Sequence, residues 1–197
     1  MNDEQVNELL YQALETETGG VQVYESAVQC AVNEELRKEW EEYLSQTRNH
    51  VQIVTDLFGK MGLDPNVDTL GRQIVREKAA TLVRSMEMAR AAGDPSAAQL
   101  VAAEAVVDAE TKDHQNWELI GTLAEELKGD TAKFLKEAHG EVEEEEDEHL
   151  YHTKGWAREL WIESLGLPAV LPPPEEEKDV KTAIGAARAR LARKEMV

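Results

Sequence analysis

The sequence predicts an all-α protein, built as a four-helix bundle with a long helical crossover and a C-terminal extension. Four long segments carry apolar residues spaced alternately three and four apart, a pattern that only an α-helix lines up on one face. No segment shows the sustained apolar and polar alternation of a strand. Apolar residues make up 42% of the 197 residues, which is enough for a packed core.

The first two helices follow from long apolar stripes over residues 6–31 and 36–61. Glu17 occupies a core position on the first stripe, whereas Thr47 and His50 interrupt the second. A glycine and a proline come directly after the second stripe. They predict its end, because glycine often terminates a helix and proline does not continue one.

The rest of the bundle is predicted from three further segments. Residues 70–88 form a shorter amphipathic stretch that a Gly-Asp-Pro turn closes, and long stripes follow at 100–124 and 135–160. Each long segment has about 28 to 35 residues, or about 40 to 50 Å of helix at about 1.5 Å per residue. Four such helices imply a bundle, and the shorter segment is then the crossover that returns the chain to the starting end.

The chain is expected to change character after the last long helix. We assign residues 1–168 to the bundle and residues 169–197 to a Pro-rich linker with a C-terminal helix or tail. Gly166 and Pro168 stop the helix, and the run Pro172–Pro174 is stiff. The final segment begins acidic and ends basic, an order that suits the dipole of a peripheral helix.

Charge and cysteine content exclude several classes of partner and site. The chain has 40 acidic and 21 basic residues, a net charge of -19, so it lacks the basic surface that binds nucleic acid or anionic membranes. Cys30 is the single cysteine, so a metal must be held by oxygen and nitrogen. No stretch approaches 18 consecutive apolar residues, and the N-terminus does not resemble a signal peptide. We expect a soluble, cytoplasmic protein, with its oligomeric state, a homo-oligomer included, left open.

Three glutamates occupy core positions where an unpaired carboxylate would be costly. Burying Glu17, Glu110 and Glu146 requires partners, neutralisation or a cation. His149 follows Glu146 by three residues, which places both on one helix face, and this is how bundles offer mixed carboxylate and imidazole ligands. His50 adds a second imidazole on another stripe. These five residues are the predicted metal ligands.

With these residues in place, the chain resembles the ferritin-like family of di-iron and di-manganese carboxylate proteins, in particular its rubrerythrin-like branch. The resemblance covers about residues 3–166, through the order Glu, x-x-His, crossover, Glu and Glu-x-x-His on successive helices. Glu17 followed by Tyr24 matches the Glu-x6-Tyr pattern of the family's first helix, and Trp117 stands where its third helix has a tyrosine. The second helix departs from the family, because Thr47 replaces a metal-bridging glutamate.

The departure at Thr47 predicts that one of two metal positions is weakened. Two divalent cations in close proximity repel each other, and bridging carboxylates offset that repulsion. Asp113 and His114 are candidate replacement donors, with His114 the better placed because it lies on the stripe. His139 and His152 are expected outside the site, the first at the surface and the second in an acidic surface run. We expect one or two ions per chain, unevenly bound.

The ligand types and the resemblance together suggest a function. Carboxylate and imidazole ligands without thiolate suit iron, or manganese, more than copper(I) or structural zinc. The resemblance implies a ferroxidase or peroxidase type of oxidoreductase, with oxygen or peroxide as the small-molecule substrate. Tyr24 and Trp117, about two turns from the ligands, are expected to donate electrons or simply to pack. A rubredoxin module needs cysteines that this chain lacks, so turnover would need an external electron donor.

Two other functions remain open from the sequence, so whether the protein is an enzyme is not decided at this stage. The first is a non-enzymatic ferritin-like bundle with a degenerate or structural metal site, acting through partner binding at its acidic surface. The missing bridging glutamate favours this alternative, whereas the retained carboxylates and His149 favour a working metal site. The second, iron storage in a shell, is weaker because the linker and tail do not indicate how a cage would assemble.

Overall fold

A computed structural model describes residues 2–197, and this part of the chain is helical with no strand. The helices are α1 (Asp3–Cys30), α2 (Glu34–Met61), α3 (Leu70–Ala91), α4 (Pro95–Glu126), α5 (Asp130–Ser164), α6 (Pro174–Glu177) and α7 (Ala183–Ala192), followed by a 3₁₀ turn at Arg193–Glu195. The all-α prediction is therefore confirmed. Within residues 2–197, none of the helices combines the length and the apolar character needed to cross a membrane.

Side-chain caps and turn residues fix where the long helices begin and end. Asn33 and Asp94 each accept two backbone N–H groups at the starts of α2 and α4, and Thr69 accepts one at the start of α3. Such caps satisfy donors that have no partner inside the helix. Gly62 ends α2 with φ at 69°, the left-handed region that glycine enters without strain.

Four long helices form a closed ring with the crossover helix on its outside. α1 packs on α2 and α4, and α5 completes the ring by packing on the same two helices. α3 contacts α1 and α4, so it covers one side of the ring while returning the chain from the end of α2 to the start of α4. This arrangement agrees with the predicted helical crossover.

The core is divided into two apolar clusters with a polar belt between them. One cluster, which includes Trp40 and Trp156, fills the end where α1 finishes and α2 begins. The other, which includes Phe58 and Ile120, fills the opposite end. Between the clusters, all four ring helices contribute buried polar side chains: Glu17, Thr47, His50, Glu110, Asp113, Asn116, Glu146, His149, His152 and Thr153. The fold therefore concentrates its buried ionisable groups near the middle of the bundle.

The C-terminal extension is held against α5 by ion pairs with buried carboxylates. Glu159, which is fully buried, accepts hydrogen bonds from the Val170 N–H and from Arg193. Glu175 of the extension accepts two bonds from Arg158 at 2.6 and 2.7 Å. Since these contacts reach from residue 158 to residue 193, the segment after the prolines forms a docked peripheral helix rather than a frayed tail.

The crossover helix approaches α1 most closely at Gly19, and this contact gives a stability prediction. A Cβ atom built on Gly19 would lie 2.6 Å from the Ala79 Cβ, which is too close. We expect Gly19→Ala to lower the free energy of unfolding by about 1–3 kcal/mol, because overpacking forces helices apart. Urea denaturation of the metal-free protein would measure it.

A matched control is available on α2. A Cβ atom on Gly59 would meet no described residue within 4 Å. Gly59→Ala is therefore expected to raise the free energy of unfolding by about 0.5–1 kcal/mol, because alanine is the better helix former. Equal effects of the two substitutions would contradict the proposed tight contact, and Ala79→Gly should recover part of the loss in Gly19→Ala.

Candidate metal centre

The five predicted ligands come together in the polar belt, where we call them the central cluster. They are Glu17 on α1, His50 on α2, Glu110 on α4, and Glu146 and His149 on α5. Each is at most 3% exposed. Four helices thus direct ionisable side chains into one buried region, as the stripe positions predict.

The cluster consists of two triads that share one carboxylate. In the first triad, His50 Nδ1 lies 3.0 Å from Glu146 Oε1 and 3.6 Å from Glu17 Oε2. In the second, His149 Nδ1 lies 3.6 Å from Glu110 Oε2 and 3.7 Å from Glu146 Oε1. The ligand atoms within each triad all lie within 4.8 Å of one another. Glu146 is therefore placed to contact ions at two adjacent positions.

One polar atom of each cluster residue is left without a hydrogen-bond partner among residues 2–197. These open ligand atoms are Glu17 Oε2, His50 Nδ1, Glu110 Oε2, Glu146 Oε2 and His149 Nδ1. Buried polar atoms normally find partners, because each one that does not costs free energy. Cations bound in the two triads would contact residues that each carry such an atom, so the donor set fits a metal.

Neighbouring side chains orient the cluster residues from outside. His50 Nε2 lies 2.8 Å from a Glu145 carboxylate oxygen, and His149 Nε2 lies 2.7 Å from Gln46 Oε1. These contacts occupy Nε2 and leave Nδ1 facing the cluster, an arrangement common around metal-binding histidines. Trp117 donates its indole N–H to Glu17 Oε1 at 2.7 Å.

Gln46 and Glu145 were not identified from the sequence. Gln46 lies one turn before His50, and Glu145 lies in a run of glutamates whose members look alike in sequence. Both residues contact a histidine on another helix, so the local spacing of the sequence does not identify either of them.

The electrostatics of the cluster show an excess of negative charge that a cation would relieve. Although burial opposes protonation, the carboxylates of Glu146 and Glu17 raise the pKa of His50 to about 11. Burial and the charge of Glu110 raise the pKa of Glu146 to about 7. The pKa of His149 is also raised, because Glu110 and Glu146 outweigh burial. Without a cation, the carboxylates of the cluster therefore favour protonation of their own neighbours.

The candidate replacement donors lie in different surroundings. Asp113 is buried, and its Oδ1 has no hydrogen-bond partner in the described part of the chain, but it belongs to neither triad. Burial and the charges of Glu17, Glu146 and Glu110 raise its pKa well above the usual range. His114 lies outside the cluster, with Nε2 2.7 Å from Asp147 Oδ1. Contrary to the expectation that His114 is better placed, Asp113 is the residue turned toward the cluster.

Thr47 stands where the resemblance predicts a bridging carboxylate, and it makes a different contact. Its hydroxyl donates to the Tyr43 carbonyl at 2.8 Å, one turn back on the same helix. Its methyl group faces Gly20, where a Cβ atom would lie only 3.2 Å away. Thr47 thus fills the contact between α1 and α2 and offers no charge to the cluster.

Tyr24 and Trp117, which were expected either to donate electrons or to pack, lie next to the cluster. Tyr24 is fully buried, and its ring centroid is 6.0 Å from that of His149. Burial and the charge of Glu110 raise the pKa of the Tyr24 hydroxyl well above 10.0. Trp117 contacts Glu17 directly through its indole N–H. Both residues are therefore close enough to influence chemistry at the cluster.

His152 differs from its predicted surface position. It is 3% exposed, and its Nδ1 lies 3.3 Å from the Tyr43 hydroxyl. Burial lowers the pKa of His152 to about 4, which keeps the ring neutral. The surface prediction for His152 was wrong because the C-terminal extension packs on α5. Val180 of this extension is itself buried.

Comparison with known proteins identifies no relative of this chain. No family model matches it, and no curated protein or solved structure is significantly similar.

Proposed function

We propose that the protein is a ferritin-like metalloprotein that binds one or two iron or manganese ions at the central cluster. There it would react with oxygen or peroxide as an oxidoreductase of the ferroxidase or peroxidase type. The observation that carries this proposal is the convergence of five buried ligand residues from four helices, each with an open polar atom, with Glu146 common to both triads. A purely structural core has no need for so many unpaired ionisable groups.

The fold supports the ferritin-like part of the proposal. α1, α2, α4 and α5 form a ring, and α3 crosses from one end to the other along its outside. The cluster residues occur in the order Glu, His, Glu and Glu-x-x-His on successive ring helices. Di-metal carboxylate proteins place their ligands on the facing helices of such bundles.

The donor atoms favour iron or manganese. Carboxylate oxygens and imidazole nitrogens form the whole donor set. The chain's one cysteine, Cys30, lies in the apolar cluster that includes Trp40 and Trp156, so it is not part of this donor set. Bound iron would supply the electrons that reduce oxygen or peroxide. The protein would bind the ions through Glu17, Glu110 and Glu146, fix the two imidazoles through Gln46 and Glu145, and exclude bulk water from the cluster.

Continued turnover would require an external electron donor. Tyr24 and Trp117 lie beside the cluster and would relay an electron between it and the surrounding protein. The net charge of -19 disfavours nucleic acid and anionic membranes as partners. All four ring helices of one chain contribute ligands, so the site does not need a second chain. A homo-oligomer is compatible with the proposal but is not required by it.

A second candidate function is a bundle that uses its metal only for structure and acts by binding a partner. The observation that favours it is Thr47, which leaves α2 without a carboxylate between the two ion positions. With a single bridging carboxylate, repulsion between two ions is less well offset. A singly occupied, unreactive site would then act mainly to hold the four helices together.

Oxidation of bound Fe²⁺ distinguishes the two functions. We expect the metal-free protein, loaded anaerobically with Fe²⁺ and then mixed with oxygen or peroxide, to oxidise the iron several-fold faster than buffer does. Stopped-flow absorbance of the ferric product would measure the rate. Fe²⁺ that binds without accelerated oxidation would support the structural function. No binding would exclude a metal centre and leave a partner-binding bundle with a degenerate site.

The matched control for this experiment lies on α4. Glu110→Gln removes a cluster carboxylate and is expected to abolish the acceleration. Glu104→Gln makes the same chemical change at an exposed position six residues earlier and is expected to leave the rate unchanged. Equal rates in the two variants would show that the oxidation takes place away from the cluster.

A further inference from the structure

A groove between α4 and α5 leads from the surface to the central cluster. Its volume is about 920 Å³, and residues of both helices line it, with Thr182 and Ala183 of the C-terminal extension at its edge. Trp117 and Glu146 also line this α4–α5 groove. Glu146, the residue that both triads share, is therefore also part of the wall of this groove.

The inner end of the groove carries an open ligand atom. Glu146 is 2% exposed, and its Oε2 has no hydrogen-bond partner among residues 2–197. Trp117, beside it, donates to Glu17 of the first triad. The groove therefore ends at a buried carboxylate with an open oxygen, next to the indole that donates to a second cluster carboxylate.

The lining of the groove is strongly acidic. Five carboxylates, from Glu118, Glu125, Glu143, Glu146 and Asp147, face one lysine, Lys136. Two histidines share the lining, and each pairs with a carboxylate. His139 Nδ1 lies 3.4 Å from Glu143 Oε2, and His114 Nε2 lies 2.7 Å from Asp147 Oδ1.

The three α5 carboxylates of the groove lie close together along the helix. From Glu143 to Glu146 the helix advances about 4.5 Å, at about 1.5 Å per residue, and Asp147 is the next residue. The exposed Glu143 and the half-buried Asp147 therefore lie on either side of the buried Glu146. A cleft with carboxylates of one sign focuses the electric field and raises the local concentration of cations.

We propose that the α4–α5 groove is the path by which hydrated divalent cations reach the central cluster, binding first at Glu143 and Asp147. The inference rests on the proposed function, because it takes Glu146 as the end of the path. It adds a transient cation site to the wall of the groove and assigns Glu143 and Asp147 a role in loading rather than in final ligation.

The electrostatic part of the proposal is tested by the rate of Co²⁺ uptake. Co²⁺ alone is mixed with the metal-free protein in a stopped-flow instrument, and the visible absorption of the bound ion reports its arrival. We expect Glu143→Gln/Asp147→Asn to slow uptake by about tenfold at low ionic strength, within the range known for electrostatic focusing. The final amount bound should equal that of the native protein, and added salt should narrow the difference.

The matched control carries the same change of charge on the same helix. Glu141→Gln/Glu144→Gln alters two exposed glutamates of α5 that do not line the groove. Its uptake rate is expected to stay within about twofold of the native rate, because the local field governs steering more than net charge does. Equal slowing by both double variants would show that overall charge is responsible and would overturn the groove path.

A steric variant tests the path independently of charge. A Cβ atom on Gly140 meets no described residue within 4 Å, and Gly140 lines the groove. Gly140→Trp should therefore fold and place an indole in the path, slowing uptake several-fold. Gly59→Trp adds the same side chain at an open, exposed position on α2 and should leave the rate unchanged.

The outcomes separate this proposal from the proposed function. Normal uptake rates in both groove variants, with the native amount of Co²⁺ bound at the end, would overturn the groove path and leave the central cluster as a metal site. Absence of Co²⁺ binding by the native protein would overturn the metal centre and, with it, the path. Slow uptake to a normal final amount would support both.

Discussion

Replacing Glu146 with glutamine is expected to remove both metal positions at once. Glu146 is the one residue common to the two triads, and its carboxylate lies between His50 and His149. Glutamine preserves the size of the side chain but removes the negative charge. Because the site depends on negative charge between two cations, we expect the affinity for each ion to fall at least about tenfold, a loss of about 1.4 kcal/mol or more per ion.

Single-triad variants provide the comparison for Glu146→Gln. Glu17 belongs to the first triad and Glu110 to the second, so Glu17→Gln and Glu110→Gln should each weaken mainly one position. Elemental analysis after dialysis against Mn²⁺ would give the number of ions per chain. Glu144→Gln, at an exposed position, is expected to retain the native number. Retention of metal by Glu146→Gln would contradict the shared-carboxylate geometry.

The stability of the metal-free protein is expected to fall as the pH rises from about 5 to 9. The pKa of His50 is raised to about 11, so its protonated form stabilises the fold fully below its ordinary value of 6.5. That contribution declines as the pH rises toward 11. The pKa of Glu146 is raised to about 7 from 4.5, so stability also falls as this buried carboxyl ionises between those values. Both residues therefore act in the same direction.

Metal is expected to reverse this pH dependence. Ligands must lose their protons to bind a cation, so affinity increases with pH while the metal-free protein becomes less stable. The rise in melting temperature caused by Mn²⁺ should therefore be small at pH 5 and large at pH 8. Thermal unfolding in a chelator and in Mn²⁺, at several pH values, would measure both trends.

The control for the pH prediction is a change at one titrating group. His50→Gln removes the imidazole whose pKa is most raised in the first triad. The fall in stability of the metal-free variant with pH should be shallower than that of the native protein. Stability of the native metal-free protein that stays flat or rises over this range would contradict the charge arrangement of the cluster.

The helices and the five cluster residues could be predicted because helical periodicity fixes which side chains face the core. An ionisable residue on an apolar stripe is visible without any tertiary information, as for Glu17 and Glu110. Asp113 shows the limit of this reasoning. α4 packs against α1 and α5 together, so its buried face is wider than one stripe, and Asp113 turns inward beside Asn116, which bonds Thr16 of α1.

Other features depend on contacts between segments far apart in sequence. The Gln46 contact with His149 joins residues 103 apart, and the Arg193 contact with Glu159 joins residues 34 apart. No local pattern encodes such pairs. The burial of His152 follows from the docking of the C-terminal extension, which the prolines alone did not predict. Long-range contacts such as that of Gln46 orient the side chains of the cluster, whereas helical periodicity indicates which residues belong to it.

The central claim is that the two triads form a metal centre around Glu146, and native mass spectrometry tests it most directly. Metal-free protein would be titrated with Mn²⁺, and the number of ions retained by each chain would be read from the mass. We predict a first ion at low concentration and a second only at clearly higher concentration, because Thr47 leaves the pair of ions with one bridging carboxylate. Both should be lost in Glu146→Gln. A native chain that retains no Mn²⁺ across the titration would contradict the claim.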